Sequence, residues 1–536
     1  MTLNRMRVLT AVVRSNLRDK RQQRLASETC SFRIGLVNGL SFSKWAEKLV
    51  FQLGLFALLI PSLAAAQSQP VSVTVATNGG GADLAPRFLG LSYEMSMLLP
   101  EDGQYYFDPN DGALVNTFKT LGIKSLRVGA NAVDDPRIPV PQEKDIDMLF
   151  NFARAAGVKV IYSFRLKNGD PAKSSCLANY IATHDADALD CFSIGNEPGM
   201  YIPTFDAYFA QWKSQYDAIL KAVPNAMFDG PSVVKEHSYV LDLVKAVFAG
   251  GHLAMVSDHY YFLGSGRAGE KNPPATRARF LSNNLHRQYE KDYAKIGAVL
   301  AAQGVPYRID EINSCYNGGA KGASDTYAST LWALDCTHWW AAHHILGMNY
   351  HTGESREGNG RFGGTNFAAV GGVPVAGVTV AANYAAFVHQ EDGHGIIMRP
   401  QAYAFLAFSQ GARGRPLGVK IQAVPTFNFS AYAYEDHDGS IYLTLIDKSF
   451  GDKGQPASVS LRLPQSMGSG AWQRMDLVQK NQDVAANTGV MLGGASINSQ
   501  GIWNGKWKRI KGSGSSNPIV QVAPASATIL RFSPAK

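Results

Sequence analysis

The sequence contains few cysteines, five among 536 residues, and none of them forms a Cys-x-x-Cys pair. A structural zinc site and a thiol-redox centre therefore have no support. Cys30 lies in the N-terminal segment, which leaves four cysteines in the rest of the chain. An even number permits disulfides in an exported protein, and Cys176 with Cys191 is the pair that we expect first. Four free buried thiols are the alternative.

Beyond its N-terminus the chain also lacks an excess of positive charge. The net charge is +8, but residues 1–48 hold ten basic and three acidic residues and so account for +7 of it. The nearly neutral remainder gives no support to binding of nucleic acid or another polyanion. No internal repeat is visible. With 46% hydrophobic and 18% charged residues, the composition is typical of a globular protein.

The apolar run at residues 49–60 is too short for a comfortable membrane span. Lys44 and Lys48 precede it, and Pro61 and three alanines at 64–66 follow it. This order of basic, apolar and small residues predicts a secretory signal peptide. We therefore assign residues 1–66 to a leader and expect a secreted or periplasmic protein with no membrane attachment after cleavage. An uncleaved anchor is the alternative, and residues 1–43 match no recognisable signal.

Eight short β-type runs alternate with helical patterns after the leader. Segments 146–154 and 205–223 are two of the helical patterns. Alternation of strand and helix favours parallel βαβ units, and eight such units predict a closed (β/α)₈ TIM barrel over residues 86–410. The eight runs lie at residues 88–94, 125–128, 158–164, 191–195, 227–229, 254–260, 307–312 and 346–351.

From residue 411 onward the pattern changes to alternation with a period of two. Residues 426–434, 440–446, 459–463 and 525–532 all show it, with turns rich in Asp and Gly between them. These features predict an antiparallel β-sandwich domain over residues 411–536. Residues 71–75 alternate in the same way, so we expect segment 67–85 to contribute a strand to that sandwich. The predicted fold class is thus α/β, a barrel with a C-terminal β-sandwich.

Two of the barrel runs end at a glutamate. They are FSIGNEP at residues 192–198 and YRIDEI at residues 307–312. Apolar strands that end at a carboxylate suit a barrel enzyme, because its chemistry lies at the carboxyl ends of the strands. Two such glutamates, Glu197 and Glu311, suggest the acid and nucleophile of a retaining glycosidase. Two surface glutamates that merely follow strands are the alternative.

The two carboxyl groups are expected to have different tasks. Glycoside hydrolysis needs an acid that protonates the leaving oxygen, for which Glu197 is the candidate, and in retaining enzymes a carboxylate that attacks the sugar, for which Glu311 is the candidate. Asn196 is placed to bond a sugar hydroxyl. Because two ionised carboxylates repel, one group in the cleft is expected to keep its proton near neutral pH.

Around these residues the chain resembles the retaining barrel glycosidases with Asn-Glu on strand four and Glu on strand seven. Within that clan it is most similar to glycoside hydrolase family 79, which includes heparanases and bacterial β-glucuronidases. The resemblance covers roughly residues 71–536. Its motifs are GLSYE at 90–94, LRVGANAVD at 126–134, SIGNEP at 193–198, HYY at 259–261 with Arg267, and EINSCYNGG at 311–319.

The resemblance implies roles for further residues. Glu94 and Asn196 would contact sugar hydroxyls, although a buried ion pair of Glu94 with Arg127 is an alternative. Tyr260 would lie near the nucleophile and tune its charge, and Tyr316 would help to bind a sugar carboxylate. Packing roles are the alternative for both tyrosines. Where the family's β-glucuronidases also use a tyrosine after strand eight, the candidate is Tyr350, before a Gly-rich charged loop at residues 352–364.

Histidines and tryptophans near strand eight do not change this interpretation. His338, His343, His344 and His351 suggest a metal site, but adjacent histidines cannot share one helix face, so we expect no metal and no cofactor. Trp332, Trp339 and Trp340 are expected to pack a helix against the barrel.

We therefore predict a retaining, exo-acting β-glucuronidase that hydrolyses terminal β-linked glucuronic acid in a glucuronide or a glucuronate-containing glycan. The alternatives are a glycosidase for neutral sugars such as glucosides or xylosides, a heparanase-like endo-glycosidase, and a non-catalytic carbohydrate-binding protein. The presence of both glutamates argues against the last of these.

Overall fold

The structure is a computed structural model that describes residues 68–76, 81–101, 103–234, 236–355, 373–375, 378–390, 395–463, 471–510 and 518–534. The predicted leader and most of the Gly-rich loop after strand eight lie outside these residues. Within the described ranges, no helix combines the length and the apolarity needed to cross a membrane.

A parallel barrel fills the larger part of the chain. Strand β1 (Gln69–Val75) precedes it, and the barrel order is β6-β5-β4-β3-β2-β10-β9-β8-β7. All eight predicted runs form strands, and the predicted barrel is confirmed. The barrel strands are β2 (Leu89–Glu94), β3 (Ser125–Gly129), β4 (Lys159–Phe164), β5 (Leu189–Ile194), β6 (Phe228–Asp229), β7 (Pro231–Val233), β8 (Val256–Tyr261), β9 (Tyr307–Asn313) and β10 (Gly347–His351).

The fifth position of the barrel consists of two short strands. β6 pairs with β5 on one side, and β7 pairs with β8 on the other. Gly230 lies between them with φ of 159°. The two short strands together occupy the fifth of the eight positions around the barrel.

Helices follow most of the barrel strands, and two of them, Tyr327–Ala342 and Ala402–Gly411, are buried almost entirely. In the helix that spans Glu143–Ala156, the side chain of Asp145 accepts from the backbone N–H of Gln142 at the start, and Gly157 ends the helix with φ of 73°. The helices are α1 (Gly112–Leu121), α2 (Ala130–Val133), α3 (Glu143–Ala156), α4 (Pro171–His184), α5 (Phe205–Ala222), α6 (Ser238–Val247), α7 (Gly266–Gly269), α8 (Pro273–Phe280), α9 (Asn284–Lys295), α10 (Gly297–Ala302), α11 (Tyr327–Ala342) and α12 (Ala402–Gly411).

A long excursion follows strand β10 and returns to the barrel at α12. It contains a three-stranded sheet in the order β11-β13-β12 and a two-stranded hairpin of β14 with β15. This segment matters for the cleft because it contains Tyr384, which follows β13 in sequence and lines the cleft. Its strands are β11 (Glu354–Ser355), β12 (Val373–Val375), β13 (Val378–Ala381), β14 (Phe387–His389) and β15 (Ile396–Met398).

Two further sheets form the C-terminal β-sandwich. One has the order β17-β1-β20-β24, so β1 lies between β17 and β20; the other has the order β16-β18-β19-β25-β21-β22, with β23 beside β21. The predicted sandwich is confirmed. Its strands are β16 (Arg415–Leu417), β17 (Val419–Gln422), β18 (Phe429–Glu435), β19 (Ile441–Asp447), β20 (Ala457–Arg462), β21 (Trp472–Gln479), β22 (Val490–Leu492), β23 (Lys508–Ile510), β24 (Ile519–Val522) and β25 (Ser526–Phe532).

The core of the sandwich is apolar and forms a cluster separate from the barrel core. Val73 from β1, Leu443 from β19, Val459 from β20 and Leu530 from β25 are all fully buried in it. Alternate residues of each strand point inward, as the period of two predicts. Apolar burial of this kind contributes about 25 cal/mol per Å² to stability.

The four described cysteines are free thiols, so the predicted Cys176–Cys191 disulfide is wrong. Cys176 is exposed on helix α4, whereas Cys191 is buried in strand β5, where it packs with Ile161 and Met255. The side chains therefore lie in different environments. The alternative of free thiols holds, although Cys176 is exposed.

Candidate active site

A cleft of about 760 Å³ opens at the carboxyl ends of the barrel strands. Glu94 ends β2, Tyr261 ends β8 and His351 ends β10, and all three line it. Glu311 enters from β9, and the turn after β5 supplies Glu197. Parallel strands in a barrel deliver their final side chains to one mouth, which is why residues far apart in sequence meet here.

Glu197 and Glu311 face each other across this cleft. One carboxylate oxygen of each, together with a ring nitrogen of His259, lie within 4.8 Å of one another. The side chain of Glu311 is 5% exposed and that of Glu197 is 16% exposed. The structure thus brings the two glutamates together at one point.

Glu311 is held on both of its oxygens. Arg127 donates from Nη1 to Oε2 at 2.7 Å, and the hydroxyl of Tyr261 donates to Oε1 at 2.7 Å. Burial alone would raise the pKa of this carboxyl, but His351, His259 and Arg127, with the hydrogen bond from Tyr261, hold the pKa well below its usual value. Glu311 is therefore ionised, which is the form that a nucleophile needs.

Glu197 sits on a turn with unusual backbone geometry. Its φ is 45°, in the left-handed region, and its N–H donates to the carbonyl of Ser232 at 2.8 Å. Left-handed non-glycine residues cost about 1–3 kcal/mol and concentrate at functional sites. The turn aims the carboxyl group into the cleft, where Nδ1 of His259 donates to Oε1 at 2.9 Å.

His259 carries a positive charge and lies between the carboxyl groups of Glu197 and Asp310. Nδ1 faces Glu197, and Nε2 lies 3.4 Å from Oδ1 of Asp310. Burial would lower the pKa of His259, but the charges of Glu311 and Asp310 and these hydrogen bonds raise it to about 10. His259 thus bonds Glu197, whereas the hydrogen bonds to Glu311 come from Arg127 and Tyr261.

Arg127 connects the nucleophile candidate to Asn196. It is fully buried, donates from Nη2 to Oδ1 of Asn196 at 2.7 Å, and pairs through Nε with Asp310 at 3.1 Å. The amide nitrogen of Asn196 consequently points away from Arg127, to Oδ1 of Asn131 at 3.2 Å. Arg127 belongs to a sequence motif, but its task could not be predicted from that motif, because its partners come from strands distant in sequence.

Glu94 is buried in the cleft wall beside Glu311. Its Oε2 accepts from the backbone N–H of Ala132 at 2.7 Å, and Oε1 lies 3.7 Å from Nε2 of His351. Burial raises the pKa of Glu94 well above its usual value. Burial therefore favours the protonated form of this carboxyl group. Among the described residues, the ion pairs of Arg127 go to Asp310 and Glu311, and the alternative pairing of Glu94 with Arg127 is not observed.

The prediction for Tyr260 is wrong by one residue. Tyr261, not Tyr260, donates to Glu311. Tyr260 instead packs on the outer side of the strand against Trp340, with ring centroids 5.9 Å apart. Successive residues of a strand point to opposite faces, so Tyr261 shares the cleft side with His259. That alternation was the signal available in the sequence.

The prediction for Tyr350 is also wrong. Its side chain is fully buried behind the barrel, where its hydroxyl lies 2.8 Å from Oγ1 of Thr337 and its ring packs on Phe405 at 4.8 Å. The tyrosine after strand eight that lines the cleft is Tyr384. Burial raises the pKa of Tyr384 well above its usual value, so its hydroxyl remains neutral. A long segment of the chain separates Tyr384 from β10, so this residue could not be predicted from the sequence next to strand eight.

Tyr316 lies at the rim of the cleft and is 46% exposed. Its ring centroid is 6.4 Å from that of Tyr261. The next three residues, Asn317, Gly318 and Gly319, have positive φ angles of 60°, 75° and 84°. Asn317 and Gly318 also line the cleft, so this loop brings backbone to the place where a ligand would bind.

The histidines near strand eight are dispersed and have separate partners. His338 bonds the hydroxyl of Tyr434 at 2.9 Å, His343 stacks on Trp339 with centroids 3.6 Å apart, and His351 lines the cleft. Trp332, Trp339 and Trp340 are buried in α11, which confirms their packing role.

No protein-family model matches this chain. A curated β-glucuronidase from Aspergillus niger is 22% identical over 280 residues, which make up 43% of this chain and 51% of that protein. The match thus spans about half the length of that relative.

Solved structures resemble nearly the whole chain at low identity. The GH51 arabinofuranosidase from Xanthomonas axonopodis pv. citri has a TM-score of 0.59 and 14% identity, and covers 87% of this chain and 100% of its own. A 4-O-α-L-rhamnosyl-β-D-glucuronidase from Fusarium oxysporum has a TM-score of 0.60 and 17% identity, and covers 86% and 100%. At such identities the likeness shows the shared fold alone.

Proposed function

We propose that this protein is a retaining β-glucuronidase that removes terminal β-linked glucuronic acid, and that it belongs to glycoside hydrolase family 79. The observation that carries the proposal is the position of Glu197 and Glu311, whose nearest carboxylate oxygens lie within 4.8 Å. Retaining glycosidases keep their carboxyl groups about 5–5.5 Å apart, and inverting ones about 6.5–9.5 Å. The separation supports the retaining mechanism.

The first step would use both carboxyl groups. Glu311 attacks the anomeric carbon and forms a covalent ester, while the bond to the leaving oxygen breaks and that oxygen takes the proton of Glu197. Arg127 and Tyr261 hold the attacking carboxylate in place. Water then attacks the ester, gives its proton to Glu197 and frees Glu311, so the sugar leaves with its original configuration.

The proposed substrate is inferred from hydrogen-bond donors that line the same cleft as the catalytic pair. Tyr316 and Tyr384 line the cleft with Asn317 and Gly318. The hydroxyls of the two tyrosines can donate hydrogen bonds, and a turn can present backbone N–H groups to an anion. A carboxylate accepts several such bonds at once. The name of the Aspergillus niger relative, a β-glucuronidase, agrees with this choice.

The sugar is tested by comparing nitrophenyl β-glucuronide with the matching glucoside and xyloside. We expect a preference of at least about tenfold in kcat/KM for the glucuronide, since tenfold corresponds to roughly 1.4 kcal/mol of transition-state binding. Tyr384→Phe should reduce that preference while the rate on the glucoside stays near that of the wild type. Equal rates on all three glycosides would favour a neutral-sugar enzyme.

The stereochemistry and the acid are tested separately. NMR of the first product formed should show retained configuration, and inversion would contradict the paired mechanism. Glu197→Ala should slow poor leaving groups far more than activated phenols, and azide should partly restore its turnover. An equal loss on both classes of substrate would argue against the acid role.

We also propose export of the protein, because residues 44–66 have the order expected of a signal peptide. Sequencing the N-terminus of the protein recovered from the producing cells tests this. A mature chain that begins near Gln67 would agree with the proposal, and an intact leader would contradict it.

A further inference from the structure

The leaving group of the substrate must lie on the side of Glu197, because Glu197 protonates the glycosidic oxygen. Two segments are tied to the backbone of Glu197. The short turn Pro198–Met200 begins with the N–H of Met200 donating to the carbonyl of Glu197 at 2.9 Å, and the N–H of Glu197 itself donates to Ser232 at 2.8 Å. Val234, two residues beyond Ser232, lines the cleft.

Pro136, Met200, Tyr201 and Val234 give this side of the cleft an apolar wall, and the charged residues Arg137 and Lys167 lie beside it. Met200 lines the cleft and is 56% exposed, so its side chain is accessible to a ligand. The ring of Tyr201 is held in a defined orientation, because its hydroxyl donates to Oδ2 of Asp134 at 2.8 Å. That same carboxylate oxygen accepts from the backbone N–H of Asn196 at 2.9 Å. The aromatic wall is therefore rigidly joined to the catalytic turn.

The positive charges near this wall already have partners. The ammonium of Lys167 lies over the ring of Tyr201, 5.4 Å from its centroid. The guanidinium of Arg137 forms an ion pair with Asp135 at 2.6 Å. Asp134 and Asp135 line the same cleft and match these two cations in number. This side therefore has no excess of positive charge for a sulfated or uronic-acid sugar, which favours an uncharged leaving group.

We propose that the leaving-group subsite, formed by Pro136, Met200, Tyr201 and Val234, binds a flat apolar aglycone such as a phenolic ring system. A thioether and an aromatic ring both make favourable contacts with aromatic groups. The cleft continues without a break from the catalytic pair to this surface, since the same 760 Å³ contains both. This inference rests on the proposed glucuronidase function and names the class of its substrates.

The test uses two substrates that differ only in what leaves. One is 4-methylumbelliferyl β-glucuronide, with a flat bicyclic aglycone, and the other is β-glucuronyl fluoride, whose fluoride cannot occupy the subsite. Met200→Ala should lower kcat/KM on the first by about tenfold and leave kcat/KM on the second unchanged. The hydrolysis of the covalent intermediate should also keep its rate, because the aglycone has already left.

Ile519→Ala is the matched control, since Ile519 is a 67% exposed apolar residue in the sandwich strand β24. It should change neither rate. An equal loss on both substrates in Met200→Ala, or no loss on either, would overturn the proposed subsite. If Met200→Ala lowers kcat/KM more on a glucuronyl disaccharide than on the umbelliferyl substrate, the subsite binds a sugar and the proposed flat aglycone is wrong.

Failure of the proposed function gives a different result. In that case the wild type would hydrolyse neither glucuronide. The kcat/KM of Met200→Ala relative to that of the wild type is then measured on the aryl glycoside and on the glycosyl fluoride of the sugar that the wild type does accept. A loss restricted to the aryl substrate supports the subsite, and equal behaviour of the two substrates contradicts it.

Discussion

The barrel and the β-sandwich both bury side chains completely, but they bury different chemistry. Near the mouth of the barrel, Arg127 and Asp310 are 0% exposed, whereas in the sandwich the fully buried residues include Leu443 and Leu530. A buried charge is costly unless it is paired, and a buried leucine is favourable by itself. The sandwich interior therefore supplies stability, and the barrel mouth holds charged groups in fixed positions by burying them in pairs.

The charges at the barrel mouth form one connected set. Asp310 contacts His259 and Arg127, Arg127 contacts Glu311, and His259 contacts Glu197. Low local dielectric strengthens each contact and makes the loss of a partner expensive. We therefore expect substitutions at the mouth to affect activity first and substitutions in the sandwich to affect stability alone.

The largest effect is expected from Glu311→Gln. An amide cannot attack the anomeric carbon, so turnover should fall by about 10⁴-fold or more. A cyclophellitol-type probe should label Glu311 in the wild type and leave the variant unlabelled, while circular dichroism shows an intact fold. Label on another residue, or a variant as active as the wild type, would contradict the assignment.

Arg127→Met should reduce both activity and stability. It leaves Asp310 and Glu311 buried without their main cation, and breaking such a pair typically costs about 3–5 kcal/mol. Urea unfolding measures the loss of stability, and kcat/KM on an aryl glycoside measures the loss of activity. A fully active variant would show that the charge network is not needed for catalysis.

Leu443→Ala should reduce stability only. The side chain is 0% exposed between the two sheets of the sandwich, and such truncations cost about 2–5 kcal/mol. The free energy of unfolding should fall accordingly, with kcat of the folded protein unchanged. If kcat falls in parallel, the two interiors are coupled and the comparison fails.

Tyr261→Phe and Tyr260→Phe separate neighbouring residues of one strand. Loss of the hydroxyl at Tyr261 removes a hydrogen bond to Glu311, and we expect kcat to fall by about 10²-fold. The hydroxyl of Tyr260 is not in the cleft, so its loss should leave kcat within about twofold. Similar losses in both variants would contradict the placement of the two side chains.

His389→Asn should show the smallest effect, and one that depends on pH. His389 lies between Glu354 and Asp111, with the edge of the Tyr106 ring against it, and Nε2 is 2.8 Å from Asp111. Burial would lower its pKa, but the two carboxylates raise it to about 9. A raised histidine pKa stabilises the fold fully below about pH 6.5, and that stability is lost as pH rises through about 9.

The stability difference between the wild type and His389→Asn should thus be on the order of 2 kcal/mol below pH 6.5 and shrink towards alkaline pH. Unfolding curves at several pH values measure it. A difference that stays constant from pH 6 to pH 10 would show that the histidine is not charged in the folded protein.

Local sequence patterns were sufficient to predict many of the strands, because a strand forms from a few consecutive residues of suitable type. All eight barrel runs and five strands of the sandwich (β1, β18, β19, β20 and β25) could be predicted in this way, and so could two glutamates at strand ends. The strands β11–β17 and β21–β24 were not predicted. Glu197 and Glu311 meet because parallel strands of a barrel share one mouth, which makes strand position a guide to spatial position.

The amino-acid sequence by itself therefore determined the barrel, the sandwich and the pair of glutamates. Tertiary structure decided which neighbour of each glutamate touches it. Tyr261 rather than Tyr260 reaches Glu311, and Tyr384 replaces Tyr350 in the cleft. The reason is physical: strand formation depends on neighbours along the chain, whereas contacts across the barrel mouth depend on side-chain facing and on loops that return from far away in sequence.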